Sequence, residues 1–236
     1  MNIVWIVGNA LAINGTLVCM VTITKLRTAL PKSGLPAWSM LIITATATVT
    51  ALQFVYPEVL AMARRNPEAL FTGEYWRMVT PLFVQPHGLV QCLCNAFFML
   101  LAEKLYGKGL LALYFIPGIA GQAINYSWDP YGGGASAAAF GVMGGLLAYV
   151  LRNARRTPLL LVPVAVISLG AAAMLGWFHD GHGPAMLAGA AIGLLLPASE
   201  LRGCRLPAIT TLPPARGEER RMSADATAPI FPSGQV

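Results

Sequence analysis

Gly132–Leu151 reads GGGASAAAFGVMGGLLAYVL, and Arg152 follows it. After the three glycines, 17 residues pass without a charge. The apolarity is continuous rather than alternating, which favours a helix over a strand. Ala137, Gly141 and Gly145 recur at four-residue steps, a small face on which a second backbone can pack closely.

Six more segments have the same character. With this one they are 3–23, 37–56, 88–105, 110–128, 135–151, 158–178 and 183–197. Crossing the hydrocarbon takes about 20 apolar residues, roughly 17–25. A bilayer core offers no water to pair the backbone, so such runs are helices. The composition agrees. Of 236 residues, 56% are hydrophobic and 11% charged, against about 25% charged in a soluble domain. Mean hydropathy is +0.62. These values exclude a soluble enzyme, a disordered chain and a nucleic-acid-binding module.

The net charge of +6 has a topological explanation. If seven helices alternate, 13 of the 16 Lys and Arg fall on one side, after the first, third, fifth and seventh segments. Arg64, Arg65 and Arg77 lie on the other side with Asp129 and Asp180. The positive-inside rule then puts the N-terminus outside and the C-terminus in the cytoplasm. The first segment has no basic residues before it and reads as a retained helix rather than a cleaved signal. The stretch 57–86 reads as an ordered external loop, and the Pro- and Arg-rich tail as disordered. The cysteines show no disulfide or zinc spacing and read as buried thiols.

Ionisable and strongly polar groups are costly in hydrocarbon and mark candidate sites. Ser136 opens the fifth segment and lies 16 residues before Arg152, about 24 Å along a helix. His182 opens the seventh and lies 18 residues before Glu200, about 27 Å by the same rise. Both helices run inward, so the two side chains share a depth near the outer leaflet. Ala185, Gly189 and Gly193 give the second helix a small face matching that of the first. A hydroxyl and an imidazole across such a contact make a nucleophile and its base; spacing alone fits equally an ordinary membrane serine and an interfacial histidine. His87, Gln91 and Asn95 follow one another at four-residue spacing on the third segment and share a helix face. Asp180 and His179 read as solvated loop residues, and Glu103 as a structural acid at a helix end.

Four strings, in order, resemble the rhomboid family of intramembrane serine proteases. They are Gly73-Glu74-Tyr75-Trp76-Arg77, Glu103-Lys104-Leu105-Tyr106-Gly107, Gly134-Ala135-Ser136-Ala137 with Phe140 four residues beyond the serine, and His182 with Ala185 and Gly189. The resemblance spans about residues 37–197. It implies an all-α polytopic membrane bundle, a six-helix core with one added N-terminal helix. The corresponding organisation is 1–36 for the extra helix and linker, 37–198 for the membrane domain and 199–236 for the tail.

It also implies that Ser136 is the nucleophile and His182 the base, with Phe140 against the imidazole and Gly134 supporting the turn. His87, Gln91 and Asn95, with the Ser136 backbone N–H, are the oxyanion candidates. Neither a third acid, a cofactor nor a metal is implied. The expected partners are the lipid bilayer and transmembrane substrates with small residues near the cut, and no oligomeric state is set. The expected location is a bacterial plasma (inner) membrane.

Three positions depart from the family pattern. Ala137 replaces a glycine, and Gln85 stands where many members carry histidine. The His-x-x-x-Asn pair is read either as His87 and Gln91 or, one turn later, as Gln91 and Asn95, the first being preferred. The alternative function is a weakly active or inactive relative that binds membrane helices.

Overall fold

A computed structural model describes residues 3–26, 35–85 and 89–198. These all belong to one compact unit. His87 and the tail expected to be disordered lie outside the described residues.

The long helices are α1 (Ile3–Leu26), α2 (Ala37–Val55), α5 (Leu89–Tyr106), α6 (Gly109–Trp128), α7 (Ser136–Arg152), α8 (Leu161–Trp177) and α9 (His182–Leu195). They match the seven expected segments to within a few residues at each end. Two short helices, α3 (Pro57–Ala63) and α4 (Pro67–Phe71), lie in the long connection after α2. No strand occurs among the described residues, so the all-α expectation holds. By length and apolarity α1 and α2 can each cross a bilayer, while α7, α8 and α9 are apolar but shorter. The outer faces of α1 and α2 expose Ile6, Val18, Leu41 and Phe54, an apolar surface suited to lipid rather than water.

The centre of the bundle is α7. Every residue from Ser136 to Val150 is buried, as expected for a helix that is apolar all round. Its small residues decide what packs on it. A Cβ added at Gly144 would sit 1.9 Å from the Met186 carbonyl oxygen, and one at Gly189 would sit 1.9 Å from the Gly141 carbonyl oxygen. The α7 and α9 backbones therefore touch. On another side Gly141 receives the Pro117 ring of α6, since a Cβ there would lie 2.4 Å from Pro117 Cγ. The Tyr106 hydroxyl of α5 donates to the Gly145 carbonyl at 2.7 Å and reaches the Gly193 carbonyl at 3.3 Å. The added helix α1 packs mainly on α8.

The connection after α2 is ordered, as the sequence suggests. Asn66 caps α4 by accepting from the Ala69 N–H at 3.1 Å, and Pro67 occupies the first turn, where its missing N–H costs nothing. Buried Arg77 holds the connection together. It pairs with Glu74 at 2.7 Å and donates to the Ala61 and Arg64 carbonyls, each at 3.0 Å. Of the thiols, Cys19 is buried, Cys92 half-buried and Cys94 exposed, so the burial expected of the cysteines fails at Cys94.

Glu103 is the structural acid the sequence suggests. Its carboxylate accepts from the N–H groups of Trp38 at 3.1 Å and Ser39 at 2.7 Å, and from the Ser39 hydroxyl. These donors open α2, where the unpaired N–H groups and the helix dipole favour an anion. Glu103→Ala is expected to cost about 2 kcal/mol, and Glu103→Gln about half that, since Gln still accepts but carries no charge. Thermal unfolding in detergent measures both, and equal midpoints for all three proteins would refute this role.

Candidate active site

Ser136 is the first residue of α7, at the end of a turn built on glycine. At Gly132 a Cβ would lie 1.9 Å from Asp129 Oδ2 and 2.5 Å from Arg65 Nη2, so a side chain there would have to displace the Arg65–Asp129 ion pair. The Arg65 N–H donates to the Gly132 carbonyl at 3.0 Å, and the Ala135 N–H donates to the Val84 carbonyl at 2.9 Å. The entry to α7 is thus anchored on the long connection. Ala137 fills the place of the expected glycine, and α6 accommodates its methyl. Gly121 faces it, and a Cβ at 121 would come within 3.4 Å of the Ala137 Cβ.

His182 is the first residue of α9. Its Nε2 lies 2.8 Å from Ser136 Oγ. The Phe140 ring, one turn along α7 from Ser136, lies 4.6 Å from the imidazole, centroid to centroid. Two helices that touch along glycines therefore bring their first side chains into hydrogen-bond contact. Ser136 and His182 meet, and Phe140 lies against the imidazole.

Asp180 corrects the sequence reading. Its side chain is only 10% exposed, and its Oδ1 lies 2.5 Å from His182 Nδ1. The same oxygen accepts from the His182 backbone N–H at 2.9 Å. The turn that places it is the end of α8. The His179 N–H donates to the Gly176 carbonyl and the Asp180 N–H to the Leu175 carbonyl, the pair of bonds that closes a helix through a left-handed residue. That residue is His179, at φ +60°, where glycine is usual. Its ring packs edge-on against Trp128, 5.2 Å away. Burial alone would raise the Asp180 carboxyl. The hydrogen bond and charge of His182 outweigh it and, with help from Asn9 of α1, hold the group below its ordinary value.

A cavity of about 290 Å³ opens beside Ser136 and His182. Its polar wall includes Arg65, Gln122, Asn125 and Asp129, and Trp5 of α1 lines it as well. Arg65 is buried, bonds Gln122, and donates to the Asp129 carbonyl and carboxylate. Burial lowers its guanidinium from the ordinary value while Asp129 works against that; it stays charged. Nothing in the sequence places Arg65 here, because only the folding of the connection after α2 does so. A larger cleft, about 520 Å³, lies at the other end of α7 among Arg152, Arg155 and Arg156. Its lining holds no nucleophile with a base.

Of the oxyanion candidates, Gln91 is half-buried and Asn95 is buried with its Nδ2 unpaired. Neither lines the cavity. Gly134 lies at the cavity and accepts from Gln122 at 3.3 Å.

Comparison with known proteins bears on this arrangement. The family model of the Rhomboid domain matches residues 72–202, more than half of the chain. Rhomboid protease GluP of Bacillus subtilis (strain 168) is 29% identical over 161 residues, covering 63% of this chain and 32% of that protein. Rhomboid-like protease 3 of Toxoplasma gondii is 34% identical over 84 residues, covering 33% of this chain and 32% of its own. The chain spans about a third of the length of these curated relatives.

Proposed function

The chain belongs to the rhomboid family of integral membrane proteins, and from that premise we propose that it is an intramembrane serine endopeptidase acting on transmembrane helices near the outer leaflet. The observation that carries the reading is the 2.8 Å contact between Ser136 Oγ and His182 Nε2. The expected setting is a bacterial inner membrane, N-terminus outside and C-terminus cytoplasmic.

In this mechanism His182 Nε2 takes the hydroxyl proton as Ser136 Oγ attacks a peptide carbonyl. The tetrahedral intermediate collapses, the C–N bond breaks, and the imidazolium gives its proton to the departing amine. Water, deprotonated by His182, then cleaves the acyl ester and restores Ser136. Because Ser136 opens α7, the first N–H groups of that helix have no partner within it. They support a role as oxyanion donors, strengthened by the helix dipole. Among side-chain donors, His87, Gln91 and Asn95 stay as unranked candidates, since neither Gln91 nor Asn95 lines the cavity.

The cavity beside the dyad is polar-walled, which suits a small, unwound substrate segment rather than an intact apolar helix. The test is co-reconstitution into vesicles with single-span substrates carrying small residues near the outer end of the span. Cleavage by the native protein and none by Ser136→Ala is the expected result. Equal cleavage by both would refute the reading, and no cleavage by a folded native protein would favour a helix-binding relative.

A further inference from the structure

We propose that Asp180 is a positioning residue for the base, so that the hydrolytic group is a Ser136–His182–Asp180 triad; this rests on the reading of Ser136 as the nucleophile. Each ring nitrogen of His182 has its own partner. Nε2 faces Ser136 at 2.8 Å and Nδ1 faces Asp180 at 2.5 Å. A carboxylate only accepts, so Nδ1 carries the proton and donates it to Asp180. Nε2 is then left with its lone pair aimed at the hydroxyl, the tautomer a general base requires. As His182 takes the serine proton at Nε2, it becomes an imidazolium, and the adjacent carboxylate stabilises that charge without itself accepting the proton.

A purely structural role accounts for only part of the geometry. By accepting from the His182 N–H, Asp180 Oδ1 makes a turn that Asn or Ser serves as well. Such a turn does not need a charge, yet a charge is held here in a confined site. Asp180 Oδ2 is buried and has no hydrogen-bond partner. The Asn9 amide, its polar neighbour on α1, gives one N–H to the Trp5 carbonyl at 2.9 Å, and its remaining N–H favours the Asp180 charge. Burying a half-satisfied carboxylate is costly, and the group it serves is the imidazole.

The surroundings fix its aim. The left-handed His179 sets the backbone just before it. After it comes Gly181, where the Asn125 carboxamide packs so closely that a Cβ would lie 2.1 Å from it. The loop is thus clamped from α6 and bordered by α1. The added N-terminal helix thereby becomes part of the site, since Trp5 lines the cavity and Asn9 helps hold the Asp180 charge.

The experiment compares native protein, Asp180→Asn and Asp180→Ser as full chains in detergent. Both substitutions keep an acceptor for the His182 N–H and remove the charge. One readout is the rate of Ser136 modification by a fluorophosphonate, in which Oγ–P forms, P–F breaks, fluoride leaves and the proton passes through His182 to solvent. The other is the ¹⁵N signature of the His182 ring, which reports which nitrogen is protonated. In soluble serine proteases the corresponding carboxylate-to-amide change lowers turnover by about 10⁴. A fall of at least about 10² in labelling is expected here for both variants, with unchanged thermal midpoints and loss of the Nδ1–H signature. Native labelling retained by both folded variants overturns the role of Asp180 and leaves the protease reading intact. If the native protein is not labelled, the protease reading fails and the catalytic role of Asp180 fails with it. A fall in labelling that tracks a fall in thermal midpoint, with the ring signature unchanged, also overturns the proposal in favour of a structural turn.

Discussion

Gly189→Ala is expected to destabilise the bundle by about 3 kcal/mol, the upper end of what overpacking usually costs, and to reduce fluorophosphonate labelling by about 10². The new methyl would lie 1.9 Å from the Gly141 carbonyl oxygen, 2.5 Å from its carbon and 2.7 Å from its Cα. All three are backbone atoms, so no side-chain rotation relieves the clash, and α9 must move away from α7 by about 1 Å. Ser136 and His182 sit at the first positions of these two helices. The separation is transmitted to their 2.8 Å contact, and a misplacement of that size costs about 10² in rate. Gly170→Ala is the matched control. Gly170 lies within α8 and nothing stands within 4 Å of its would-be Cβ. That change is expected to be neutral or slightly stabilising, by up to about 1 kcal/mol. Thermal unfolding and labelling rate measure both variants, and similar behaviour of the two would contradict backbone contact between α7 and α9.

His182→Ala has the largest expected effect on chemistry. It removes the only base in contact with Ser136 Oγ among the described residues and leaves the hydroxyl at its ordinary, weak nucleophilicity. In soluble serine proteases loss of the base costs on the order of 10⁴–10⁶ in turnover. A fall of at least about 10⁴ in labelling rate is expected here. The helix content measured by circular dichroism should stay the same, because the imidazole is a quarter exposed and the α7–α9 interface is made further along both helices by glycine. Labelling within tenfold of native in the folded variant would mean that another group activates Ser136.

The bundle was legible because membrane helices leave plain traces: long uncharged runs, basic residues after alternate runs, and small residues at four-residue steps. The convergence of Ser136 and His182 was legible in part: equal depth on two small-faced helices allows it, and the four strings resembling the rhomboid family select it. Asp180 was not legible. The end of α8 is closed by a left-handed histidine where a glycine would have announced the turn, so nothing in the pattern around Asp180 shows that its carboxylate folds back onto the next helix. The one available signal was its place two residues before His182, the spacing at which an aspartate accepts from a helix-opening N–H. Arg65 was hidden for a different reason. Its approach to Asp129 and Gln122 depends on how the connection after α2 folds over α6, a long-range event with no local periodicity.

The most direct test of the central claim is mass-spectrometric mapping of the fluorophosphonate adduct on the native protein in detergent. A single phosphonylated residue, Ser136, is expected, with the adduct absent from His182→Ala under the same conditions. An adduct on any other serine, or an adduct on Ser136 that persists without His182, would contradict that claim.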